Sequence, residues 1–202
     1  MTIINTIYSK SFADLAAAQK VKAIDIMREL EIQDTTPYWS QDLVNNMKER
    51  LVEYGINDAD IQWQGFCSQG DGASISTDDI QPEKFLRKVK AWSKFRNLRK
   101  FIDNDSLSLA VSRGNYRYSH EYCVSGEVNV SYYEDVTPRQ EAAVEELQSL
   151  ITEVIRELSR ELYKALESEN DYHQTDEALT ELIDANDYHF QVDAFGEVLK
   201  LA

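Results

Sequence analysis

Stretches of the chain with apolar residues every three or four positions are separated by stretches in which apolar and polar residues alternate. Leu15, Val21, Ile24, Met27 and Leu30 follow the helical period. Ser11 can cap that segment, and Asp14 sits near the positive end of the dipole, which predicts a first helix over 12–31. Asp34-Thr35-Thr36-Pro37 ends it, and Pro37 suits the first turn of a second helix. Trp39, Leu43, Met47, Leu51 and Tyr54 mark one face of that helix and Gly55 its C-cap. Residues 60–67 alternate and read as a strand, running into a turn-rich loop. Pro82 precedes a third predicted helix, about 83–102, with Phe85, Val89, Trp92, Phe95, Leu98 and Ile102 as its apolar stripe. Residues 106–133 read as an antiparallel meander. Leu107, Leu109 and Val111 form one strand. The next two, Tyr116 to Cys123 and Val128 to Tyr132, follow turns at Gly114-Asn115 and near Gly126.

Thr137-Pro138-Arg139-Gln140 is a helix start with a capping box. Val144, Leu147, Ile151, Val154, Leu158 and Leu162 carry that helix to about 168. Thr175-Asp176-Glu177 opens another that ends near Asn186, followed by a short strand at Tyr188–Val192 and a turn at Gly196. The fold class is therefore α+β: an antiparallel sheet of about four strands packed with N-terminal and central helices, plus a long C-terminal helical segment. The organisation expected is a core at 1–135 and an acidic helical segment at 136–202 packed on it as one domain.

Charge sharpens this picture. The chain has 202 residues and a formal charge of −15, distributed unevenly. Residues 134–202 hold 18 acids and 5 bases, whereas residues 81–120 hold 10 bases and 3 acids. The bases include Lys84, Arg87, Lys88, Lys90, Lys94, Arg96, Arg99 and Lys100. The acids of the long helix are Glu141, Glu145, Glu146, Glu153, Glu157, Glu161, Glu167 and Glu169. Acidic and basic helices can pair internally or form solvated faces. Alternatively, carboxylates one or two turns apart can imitate a row of phosphates and steer the protein to a basic partner. Direct nucleic-acid binding by the Lys/Arg segment is disfavoured by the net charge.

A 43% hydrophobic composition excludes a disordered acidic tail. No 18-residue apolar run exists, so no membrane association is expected. Met1-Thr2-Ile3-Ile4-Asn5 lacks a basic stretch followed by an apolar core, so no secretory signal is expected and a cytoplasmic location is. Cys67 and Cys123 form no CxxC pair and read as reduced, buried thiols. His120, His173 and His189 are scattered. Neither a metal nor another cofactor is expected.

Ser68-Gln69-Gly70-Asp71-Gly72-Ala73 is the most distinctive local feature. Its glycines permit positive φ, its successive N–H groups could form an anion nest, and Asp71 could hold a cation or a water. The alternative is a tight loop in which Asp71 takes local backbone N–H groups. Ser68, Gln69, Gly70, Asp71 and Gly72 are thus a candidate ligand loop. It is neither a Walker A loop nor a dinucleotide fingerprint.

Three segments together resemble a group of small phage- and prophage-encoded proteins. They are Phe12-Ala13-Asp14-Leu15, then Gly65-Phe66-Cys67-Ser68-Gln69-Gly70-Asp71-Gly72-Ala73, then Leu162-Tyr163-Lys164-Ala165-Leu166-Glu167. The likeness continues through Asp176-Glu177-Ala178, Ile183, Asn186, Tyr188 and Phe190. The group usually carries a larger aromatic at the place of Cys67 and a different sequence at Ser74-Ile75-Ser76. The resemblance implies a viral or mobile-element origin and a host-cell location. It supplies no chemistry, although some members look like antitoxins.

A hydrolytic site would draw on Ser68 or Cys67 with His120 and Asp71, but no nucleophile elbow or Cys/His signature accompanies them. No catalytic residue is assigned. The reading that follows is an accessory protein that binds and inhibits a host protein or protein–nucleic-acid complex with a basic surface, of the anti-CRISPR or anti-restriction type. Its contacts would be Glu145, Glu153, Glu157 and Glu161, with Tyr116, Tyr118 and Tyr122, tyrosine being favoured at interface cores. The alternatives are an antitoxin-like regulator and a small enzyme or anion binder built on the loop. A homodimer through Val144–Leu162 is compatible with the pattern.

Overall fold

The computed structural model describes residues 7–33, 37–131 and 134–202. The expected features at Met1–Asn5, Asp34-Thr35-Thr36 and Tyr132 lie outside the described residues. The architecture is α+β with antiparallel sheets and a long helix in the C-terminal part. The chain forms two compact units, Trp39–Glu167 and one made from its two ends.

The terminal unit contains β1 (Ile7–Ser11), α1 (Ala17–Gln33), α6 (Asp176–Ala185), β7 (His189–Asp193) and β8 (Val198–Leu201). Its sheet runs β1-β7-β8, all antiparallel, with Ile7 opposite Asp193 and Ser11 opposite His189. The first helix thus begins later than the predicted residue 12. Ser11 ends a strand, and its hydroxyl donates to Asp14 at 2.8 Å. A turn follows before Gln19 Oε1 receives the Ala16 N–H at 2.9 Å. The pairing partner of Ile7-Tyr8 lies near the other end of the chain, where no local pattern can reveal it. Val21 and Leu30 are exposed, whereas Ala23 and Met27 join Phe12, Leu15, Leu179, Ile183, Phe190, Val192 and Val198 in this unit's core. Thr175 caps α6 by receiving the Ala178 N–H at 3.2 Å.

The central unit comprises α2 (Tyr38–Glu53), β2 (Ile56–Asn57), β3 (Asp60–Gln64), β4 (Gly72–Ile80), α3 (Pro82–Lys88), α4 (Arg99–Asp103), β5 (Leu107–Arg113), β6 (Val124–Val130) and most of α5 (Pro138–His173). Tyr38 itself groups with the terminal unit. The sheet order is β2-β4-β5-β6, with β3 also on β4. Ile56 faces Ile80 and Asp60 faces Ser76, a single register in which β2 and β3 are one strand broken around Asp58, whose φ is +45°. The predicted strand 60–67 stops at Gln64 because Gly65 turns to φ +53°.

Three further expectations are corrected. β4, the centre of the sheet, is a strand that the small residues Gly72, Ala73, Ser74 and Ser76 conceal. The predicted helix 83–102 is two helices joined by turns: Lys90 adopts φ +59°, the Ala91 N–H bonds Leu86 O and the Lys90 N–H bonds Arg87 O, a Schellman ending without glycine. Residues 114–123 form a loop with one 3-10 turn, while Gly126 lies inside β6 rather than in a turn.

α5 starts as expected, with Gln140 Oε1 receiving the Thr137 N–H at 3.1 Å. It continues past residue 168 to His173. Leu147, Ile151, Ile155, Leu158, Leu162 and Leu166 are buried in the core with Phe85, Phe95, Phe101, Leu109 and Val111. Val144, Leu150 and Val154 of the face considered for a homodimer are half-buried against this core.

Candidate functional site

β3 and β4 are joined by residues 65–71, and β5 and β6 by 114–123. Antiparallel order places both connections at the same end of the sheet, and they touch. A Cβ on Gly70 would lie 2.6 Å from the Tyr118 ring, and one on Gly72 would lie 2.9 Å from Ser119 O. Asp71 folds back on its own loop: Oδ2 receives the Cys67 N–H at 2.8 Å and the Ser68 N–H at 2.6 Å. The Ser68 amide, one of those that could have formed an anion nest, is thus already taken by a carboxylate, together with the amide that precedes the loop. The glycines of the candidate ligand loop make room for the tyrosine-bearing loop, so the two groups of predicted site residues form one surface.

α5 supports this surface from the side. Tyr163 donates its hydroxyl to Gly65 O at 3.1 Å and stacks on Phe66, which in turn packs on Trp63. Burial pushes the Tyr163 hydroxyl up to about 12, with Glu167, Asp71 and Cys67 adding to the effect. Arg156 lies over the Tyr122 ring and donates to Val124 O, and Arg160 reaches Glu121 at 3.4 Å. His120 stacks on Tyr122 at 5.2 Å. Cys67 is exposed and Cys123 half-buried, so neither is the buried thiol expected from the sequence. Tyr116, Tyr118 and Tyr122 are 60%, 45% and 64% exposed. Sequence reasoning missed the supporting residues Trp63, Glu121, Arg156 and Arg160. Phe66 and Tyr163 fall within the segments of the phage-group resemblance.

The four glutamates divide. Glu161 pairs with Arg50 at 2.6 Å, and the hydrogen bond to this carboxylate holds the Arg50 guanidinium above its usual range. Glu157 pairs with Arg160 at 3.1 Å. Glu145 and Glu153 are exposed, and their carboxylates have no ion pair or hydrogen bond among the described residues. Part of the basic segment is neutralised internally, as in Lys94–Glu146 at 2.9 Å and Lys88–Glu53 at 2.7 Å. Its rings Phe85, Phe95 and Phe101 are core residues, and the half-buried Trp92 packs against that core with Arg87 and Arg99 over its ring. His120 and Asp71 belong to the same surface, but Asp71 is engaged with backbone amides rather than with an imidazole. Among the described residues no three His, Cys, Asp or Glu side chains are grouped to hold a metal, and no helix is long and apolar enough to cross a membrane.

Fold and surface together define an α+β protein that presents an exposed tyrosine loop beside an acidic helix. The chain belongs to the family described as a domain of unknown function, DUF8835, whose model matches residues 39–176 and so includes the whole central unit. No curated protein and no solved structure matches it.

Proposed function

We propose that this is a protein-binding factor of phage or mobile-element origin, acting inside the host cell on a protein or protein–nucleic-acid complex with a basic surface. The observation that carries the proposal is the free acidic row on α5. Glu141, Glu145 and Glu153 are exposed and unpaired among the described residues. Glu141 and Glu145 are one four-residue step apart, a rise of about 6 Å, and Glu153 follows two such steps on; each step is close to two phosphate steps of about 3.4 Å along one DNA strand. A host nuclease or defence complex that grips phosphates would accept such a row. The tyrosine loop supplies the uncharged contact area that gives an interface its affinity.

Affinity capture from bacterial lysate with the tagged protein, repeated at higher salt, tests this reading. One stoichiometric, salt-sensitive partner is expected, weakened tenfold or more by the double variant Glu145→Lys, Glu153→Lys. Charge reversal at the internally paired Glu161 serves as the contrast. Unchanged affinity in a folded double variant overturns the acidic-row assignment.

A further inference from the structure

His120 occupies a position its ring nitrogen cannot fill in two ways at once. Nδ1 receives the Tyr122 N–H at 3.3 Å, which caps the 3-10 turn Glu121–Cys123. The same nitrogen lies 3.0 Å from Glu121 Oε2. A neutral imidazole with its lone pair on Nδ1 accepts from Tyr122. Once protonated there, it has no lone pair to offer and becomes a donor, and the neighbouring carboxylate is its acceptor.

We propose that protonation of His120 is a switch on the tyrosine loop, exchanging the cap on the Tyr122 N–H for an ion pair with Glu121. The other charged and titratable groups around it frame this exchange. On α5, Arg160 holds the other Glu121 oxygen at 3.4 Å and also contacts Glu157, so Glu121 is positioned whether His120 is charged or not. Arg156 lies over the Tyr122 ring. Beside β4, Asp71 is committed to the Cys67 and Ser68 amides. From β5, Arg113 donates to Tyr118 O and to the Ser119 hydroxyl. Within the loop, the Cys123 N–H donates to His120 O and its thiol to Tyr118 O. These bonds hold the flanks of the loop, so the change falls on Tyr122, the most exposed of its three tyrosines. The consequence of the switch for partner binding rests on the docking role proposed above. The switch itself is a property of the free protein.

The test is NMR on the isolated full chain between pH 8 and 5.5, following the His120 ring and the Tyr122 amide. The expected result is that both titrate together and that Tyr122 protection, corrected for intrinsic exchange at each pH, falls at least threefold on acidification. His120→Asn supplies a cap that does not titrate, so its Tyr122 amide should stay protected throughout. His120→Ala should leave that amide unprotected at every pH. A Tyr122 amide indifferent to His120 titration, or a transition that persists in His120→Asn, overturns the proposal. Neither readout involves a partner, so a failed capture experiment leaves this result standing.

Discussion

Single residues in this protein act mostly through backbone groups. Asp71 spends its carboxylate on two amides, and Tyr163 spends its hydroxyl on Gly65 O. Burial of the Tyr163 hydroxyl makes stability depend on pH in the alkaline range. Its ordinary hydroxyl pKa is near 10 and the folded value is about 12, so the fold favours the neutral form. That contribution is complete below pH 10 and is lost as pH rises from 10 towards 12. Chemical denaturation across this range should show stability falling in the native protein, with a shallower fall in Tyr163→Phe. Identical slopes would remove Tyr163 from the account. At this scale the sequence was legible where chemistry is local, as in the Thr137–Gln140 box and the Thr175 cap. It was misread where a residue adopts a conformation usually reserved for glycine. Lys90, Asp105 and Asp187 all take positive φ just beyond helix ends. In each case the following N–H bonds a carbonyl five residues back: Ala91 to Leu86, Ser106 to Phe101 and Tyr188 to Ile183. A reading that looks for glycine finds no stop signal at Lys90, which is why one long helix was expected there.

Elements meet where side chains are missing as much as where they are large. β6 is the edge strand of the central sheet, and unpaired edges invite association. Here α5 covers part of that edge: Thr152 receives the Gly126 N–H at 2.9 Å, and Arg156 donates to Val124 O at 3.3 Å. The approach depends on Gly126, whose added Cβ would lie 2.9 Å from both Gln148 O and Ile151 Cβ. Gly126→Ala must push the helix away from the strand, and overpacking of this kind costs about 1–3 kcal/mol. Urea denaturation should register that loss, and an unchanged midpoint would mean that α5 yields freely. The glycine looked like a turn in the sequence because a close helix–strand approach leaves no local signature. β4 was hidden for a related reason. Its Ala73, Ser74 and Thr77 are buried but too small or polar to mark a strand by alternation, and three neighbouring strands supply its partners.

On the scale of the whole molecule, two cores with no residue in common replace one. Phe190→Ala should therefore act selectively. Removing a fully buried ring costs about 3 kcal/mol or more. Amide exchange should accelerate more in β1, β7 and β8 than in β4 and β5, and uniform acceleration would show that the units unfold as one. The net charge also acts at this scale, because most of it lies in residues 134–202, which hold 18 acids and 5 bases. The sequence alone determined the α+β class, the start of the long helix and the acidic–basic asymmetry. Each follows from periodicity, capping chemistry or simple charge, all of which act over a few residues. Only the tertiary structure decided that the chain ends pair, that β4 forms the centre of its sheet, that the glycine-rich loop buttresses the tyrosine loop, and that Glu161 is paired while Glu145 and Glu153 are not. Those facts depend on residues tens to nearly two hundred positions apart, and contacts at that separation are fixed by packing rather than by local pattern.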